Sequence, residues 1–258
     1  MLDWFTHLDP WIVAYGMAVV LAAAIVRGYA GFGFSLLAVT GLSLTLPPAE
    51  VVPSIFMLEI AASLHLLPGI WKEIHWRSIA WLLGGCIVAT PLGVWLLASV
   101  PEAPMKVALG AFVLISAILL VQGYALKRMP GRAATLATGA ASGLLNGGFG
   151  IGGPPVVLFF FSSPAGATVS RASAIAYFIG TDTTGLGFLG WQGLITQASF
   201  ARFLLYLAPL LLGIAIGSRS FRGADPAAFR QWVLRILMLL ALLTAGQGLW
   251  ALWSGSAA

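Results

Sequence analysis

The chain has 258 residues, 60% of them hydrophobic and only 8% charged. A soluble domain carries about 25% charged residues, so a water-facing surface is excluded and most of this surface must face lipid. The net charge of +5 does not point to nucleic acid, because the Lys and Arg residues fall between apolar runs, where they set membrane orientation. Cys86, the single cysteine, lies inside an apolar run, so there is no intrachain disulfide. Asp3, His7 and Asp9 precede the first apolar run and the first cation is Arg27, which is not the pattern of a cleaved signal peptide.

In chain order the apolar runs are 11–27, 31–46, 51–70, 78–99, 104–124, 133–146, 150–163, 171–190, 199–218 and 229–253. A full crossing needs about 20 apolar residues. The runs 51–70, 78–99, 104–124, 171–190, 199–218 and 229–253 reach that length. The shorter ones form two pairs, 11–46 and 133–163, each interrupted by glycines. The first interruption reads Arg27-Gly28-Tyr29-Ala30-Gly31-Phe32-Gly33-Phe34. The second reads Asn146-Gly147-Gly148-Phe149-Gly150-Ile151-Gly152-Gly153-Pro154-Pro155. Glycine weakens a helix and proline removes an N–H. Irregular backbone inside a bilayer must be buried in protein or line a cavity. Each pair is therefore expected to form a broken-helix hairpin within the bundle.

The two interruptions align at a shift of about 117, which places Gly31-Phe32-Gly33 on Gly148-Phe149-Gly150, Pro47 on Pro164 and His65 on Asp182. Beyond a small gap, Pro91-Leu92-Gly93 resembles the stretch from Pro209 to Gly213. Lys106 and Arg230 open the last helix of each half. The alignment implies an internal duplication, with repeats 1–127 and 128–258 joined through the polar stretch from Lys127 to Arg132. A hairpin plus three crossings is an odd number, so the second copy is expected to be inverted. The predicted fold is an all-α polytopic membrane protein of two inverted-topology repeats. Lys72, Arg77, Lys127, Arg128, Arg132, Arg171, Arg219, Arg222 and Arg230 fall on one side of this layout, against Lys106 and Arg202 on the other. The excess of cations marks the cytoplasmic face and puts both termini outside. Trp71, Trp76 and Trp81 then mark the inner interface, and Trp11, Trp191, Trp250 and Trp253 the outer one.

Inverted repeats with broken helices point to a transport site near the bilayer midplane. A helix restarting after a break presents free N–H groups and a positive dipole end, which suit an anion. The candidate substrate-binding residues are Arg27, Gly31, Phe32, Gly33, Phe34 and Ser35 at the first break. At the second they are Asn146, Gly147, Gly148, Phe149, Gly150, Gly152 and Gly153. Close helix packing is the competing role for the glycines, and helix capping for Asn146. Asp182, His65 and Glu59 lie within apolar runs and are the candidates for proton coupling. The competing role for the acids is structural pairing with Arg27 or Arg171. The dinucleotide-like glycine spacing lacks a βαβ unit, and the His and Cys spacing holds no metal. No cofactor and no catalytic residue are expected, and an intramembrane enzyme is disfavoured.

At these breaks the sequence resembles the TauE/SafE family of sulfite exporters, through Ala30-Gly31-Phe32-Gly33-Phe34, Pro47-Pro48 and the stretch from Asn146 to Pro155. The likeness extends over nearly the whole chain. It implies a multi-pass protein of the inner membrane that exports small sulfur-containing anions such as sulfite, sulfoacetate or other organosulfonates, driven by the proton gradient. The roles given to Arg27 and to the stretch around Asp182 rest on membrane physics rather than on the resemblance. A passive anion channel and a carrier of another small anion, such as a carboxylate, stay open, as does a homodimer.

Overall fold

The computed structural model describes residues 10–122, 130–161, 164, 166–220 and 226–254. Lys127, Arg128, Arg222 and the proposed boundary between repeats lie outside the described residues. All regular structure among the described residues is helical. The first half contains α1 (Pro10–Ala30), α2 (Phe34–Leu42), α3 (Pro48–Leu66), α4 (Trp76–Ser99) and α5 (Glu102–Gln122). The second contains α6 (Arg132–Phe149), α7 (Gly153–Phe161), α8 (Ala167–Trp191), α9 (Gln197–Ser220) and α10 (Pro226–Trp253). Each half thus runs long, short, long, long, long, with the short helix directly after the glycine break.

Among the described residues, six helices are long and apolar enough to cross a membrane: α1, α3, α4, α5, α9 and α10. Helix α8 is 25 residues long but carries Arg171, Thr181, Asp182, Thr183 and Thr184 along its length. The first break is also shorter than the sequence suggests. Helix α1 continues through Arg27, Gly28 and Tyr29, because the Arg27 side chain is accommodated inside the bundle and does not force the helix to stop. Likewise α6 continues three residues past Asn146. Pro154 and Pro155 sit in the first turn of α7, where a missing N–H leaves no bond unmade.

Helices α1 and α9 pack along each other, as do α4 and α6, and α5 and α10. The first helix of each half therefore lies on the fourth helix of the other. Small residues set these contacts. A Cβ at Gly139, Gly143 or Gly147 would fall 2.0, 2.4 or 2.5 Å from the carbonyl oxygens of Leu82, Cys86 and Thr90 on α4. The backbones touch along a stripe with one glycine every four residues, the close-approach geometry of membrane helix pairs. The fourth helices contribute in the same way: Gly93 closes on Leu144 O and Gly213 on Leu21 O. Each follows a proline inside its helix, Pro91 in α4 and Pro209 in α9. The main apolar core surrounds α2 and α3, with Phe34, Leu42, Ile55, Phe56 and Leu58 fully or almost fully buried.

Candidate anion site

The two breaks are built from glycines held at positive φ. Gly31 and Gly33 adopt 81° and 92°, and Gly150 adopts 68°, a region that strains other residues. Gly33 is the N-cap of α2 and Gly150 the C-cap of α6, and neither supplies a side chain to the orphan groups there. Other side chains must satisfy them.

At the first break the partner is Glu59. Its Oε1 accepts from the Ser35 N–H at 3.1 Å, so a carboxylate from α3 occupies the positive end of α2. The same carboxylate forms an ion pair with Arg27. Arg27 also donates through Nη2 to Ser63 Oγ, one turn beyond Glu59 on α3. Its guanidinium carbon lies 5.5 Å from the centre of the Phe178 ring, a cation–π approach. Arg27 is wholly buried and Glu59 is 3% exposed. Removing one member of such a pair costs about 3–5 kcal/mol, because the other charge is left uncompensated. Arg27 Nε still has no hydrogen-bond partner among the described residues.

At the second break the partner is Asn146. Its Oδ1 accepts from the Gly152 N–H at 3.0 Å. Its Nδ2 donates to Asp182 Oδ1 at 3.1 Å and approaches Thr181 O at 3.4 Å. Ser142 Oγ donates to Gly152 O at 2.6 Å and accepts from the Tyr177 hydroxyl at 2.9 Å. Gly152 must be glycine, since a Cβ there would meet both Ser142 Oγ and Asn146 Cβ at 2.9 Å. Asp182 is buried, its Oδ2 has no hydrogen-bond partner among the described residues, and it interacts electrostatically with Glu59 and Arg27.

The structure thus brings together Arg27, Ser35 and Glu59 at one break, and Asn146, Gly152 and Asp182 at the other. His65 is exposed near the end of α3, outside the cluster. Gly147 is committed to the contact with α4, whereas Gly148 and Gly153 leave room for a Cβ at ordinary contact distance. Phe149 stacks on Phe112 with ring centres 5.5 Å apart, which ties it to α5. Phe34 is a core residue, and Phe32 packs at the edge of both apolar clusters. Arg171 lies across Gly31 and donates to Gly28 O at 3.2 Å, closing the end of α1. Ser63, Ser142, Tyr177 and Phe178 belong to the site and are not evident from the sequence, because hydroxyls and rings are common within membrane runs.

The sulfite exporter TauE/SafE family matches residues 16–244. A probable sulfite/organosulfonate exporter TauE of Cupriavidus necator is 27% identical over 213 residues, covering 81% of this chain and 83% of that protein. A probable inner membrane transporter protein TsaS of Comamonas testosteroni is 25% identical over 200 residues, covering 76% of this chain and 82% of that protein. No solved structure matches the chain. These relatives are transporters and not enzymes. With most of its length matched by that family and six helices suited to a bilayer, the chain is a multi-pass membrane transporter and belongs to the sulfite exporter TauE/SafE family.

Proposed function

We propose that this protein exports a small sulfur-containing anion, such as sulfite or an organosulfonate, across the inner membrane, and binds it at the first break between Arg27 and the start of α2. One observation carries this reading: a buried guanidinium and a free helix start converge on one carboxylate, that of Glu59. A chemical site that holds a carboxylate there holds a substrate oxyanion by the same donors. The substrate class is the one printed in the names of the relatives. Glu59 and Asp182, buried and electrostatically linked, are the proton-coupling groups in this reading.

Two inverted repeats, divided at 127/128, would alternate access by rocking against each other. This is supported by the shared order of helix lengths and by the exchange in which the first helix of each half packs on the fourth of the other. The cations Lys72, Arg77, Arg132, Arg171 and Arg219 support a cytoplasmic face opposite the termini. A second reading is favoured by the fact that the anion already at the first break is a carboxylate, so a carboxylate substrate fits the same donors.

The test is flux of radiolabelled sulfite and sulfoacetate in proteoliposomes, with and without an imposed pH gradient and with acetate as competitor. Saturable flux that follows the pH gradient and disappears in R27Q supports the reading. Full transport of sulfur anions by R27Q would refute the assigned site, and transport of acetate in preference to them would favour the carboxylate reading.

A further inference from the structure

The Glu59 carboxylate makes the contacts that a bound anion would need: the Ser35 N–H and the Arg27 guanidinium, beside the Ser63 hydroxyl. Substrate and Glu59 cannot both use these donors. We propose that Glu59 is a tethered occupant of the substrate site, and that an anion with a singly charged oxyanion head displaces it only when Glu59 has taken up a proton. This rests on the first break being the substrate site, as read above.

Three observations carry the step from a structural pair to an exchangeable one. First, α2 is a nine-residue helix whose N-cap, Gly33, has no side chain, so its positive end depends on a distant residue. Second, Arg27 is fully buried yet its Nε is not hydrogen-bonded among the described residues, which leaves a donor for an oxyanion with more oxygens than a carboxylate. Third, the equivalent position in the other half is closed differently. Gly152 lies 117 positions after Ser35, the shift that aligns the two glycine motifs, and its N–H is capped by the neutral amide of Asn146. That amide is held by Asp182, and a Cβ on Gly152 would clash with it. Only the first break therefore has a charged cap beside a buried cation.

The charges facing Glu59 define the balance. Helix α1 contributes Arg27, and α8 contributes Asp182 and, at the end of α1, Arg171. Helix α2 carries no charged residue. On α9, Arg202 is held by Glu50 at the start of α3. On α5, Lys106 pairs with Glu102, and Arg77 lies at the first turn of α4. With Glu59 ionised, Arg27 is neutralised. An added anion would leave an excess negative charge in a buried site, a costly state. A proton from water taken onto the Glu59 carboxylate restores the balance, so one proton enters the site with each monoanion. The transport step is then electroneutral: anion and proton move together, the anion gradient drives export against the pH difference, and membrane potential has no effect.

The experiment uses methanesulfonate, whose charge does not change over the working pH range, binding to the full-length protein in detergent. Wild-type affinity is expected to weaken with rising pH, approaching about tenfold per pH unit. Addition of methanesulfonate to weakly buffered protein is expected to take up one proton per anion bound. E59Q is expected to bind with no pH dependence and, at alkaline pH, at least about tenfold more tightly than wild type. H65Q is expected to keep the wild-type pH slope, because His65 is exposed and outside the cluster. Anion binding by wild type with no proton uptake overturns the proposal without any variant, so it stands or falls even if E59Q does not fold. A wild-type pH slope in E59Q, or its loss in H65Q, also overturns it. Failure of the underlying site assignment looks different: R27Q binds methanesulfonate as tightly as wild type, and the proposal falls with the assignment.

Discussion

Gly152 donates its backbone N–H to the side-chain oxygen of Asn146 at 3.0 Å, closing the start of α7 with a neutral amide. The matching N–H of Ser35 is closed by the carboxylate of Glu59 at 3.1 Å. One break is thus sealed by an uncharged group pinned between Gly152 and Asp182, the other by a charge balanced against Arg27. The two breaks therefore differ in the charge of their caps.

Asn146→Ala removes the cap of Gly152 and the donor to Asp182 together. Two buried polar groups lose their partner, which is expected to destabilise the protein by about 1–3 kcal/mol for each. Asn146→Asp adds a carboxylate beside Asp182 and is expected to be worse. Thermal unfolding in detergent checks both, and a wild-type melting temperature in N146A would contradict the capping role.

The glycines of α6 act in packing up to Gly147 and not at Gly148. Gly143→Ala places a Cβ 2.4 Å from Cys86 O and must push α4 and α6 apart, at about 1–3 kcal/mol. Gly148→Ala meets its nearest atom at 3.5 Å and is expected to leave stability unchanged or raise it by up to about 1 kcal/mol through helix propensity. Unfolding midpoints for the two variants should separate in that order.

Gly33→Ala forces φ near +92° on a residue with a Cβ, at about 1–2 kcal/mol. Because Gly33 starts α2, relief of that strain moves the Ser35 N–H away from Glu59. Transport is expected to fall more in G33A than in G153A, where a Cβ has ordinary room. Equal flux in the two variants, measured at matched protein content, would argue against the first break as the site.

His65→Gln is expected to leave the pH dependence of transport as in wild type. The side chain is exposed and outside the cluster formed by Arg27, Glu59 and Asp182. A flattened pH profile in H65Q would restore His65 as a coupling group.

The architecture was legible where a residue type has only one physical use in a bilayer. Gly31, Gly33 and Gly150 mark the breaks because positive φ favours glycine, and the expectation of a repeat rests on the Gly-Phe-Gly that both breaks carry. Arg27, Glu59 and Asp182 stood out because a charge within an apolar run needs a reason. The pairing of Arg27 with Glu59 was visible only as one alternative, since nothing in sequence spacing brings α1 against the middle of α3. His65 aligns with Asp182 by repeat arithmetic, but it lies six residues from Glu59. At 3.6 residues per turn that places it on another face of α3. Ser63, four residues from Glu59, shares its face and reaches Arg27. The stripe of Gly139, Gly143 and Gly147 was present in the sequence, but its partner surface on α4 exists only once the halves pack together.

The most direct measurement is a crystal structure of the protein bound to 2-bromoethanesulfonate, with bromine located by its anomalous signal. The account predicts the sulfonate beside Arg27 and the Ser35 N–H, with the Glu59 side chain displaced from both. A sulfonate at the second break beside Asn146 and Gly152, or one bound elsewhere with Glu59 still on Ser35, would contradict it.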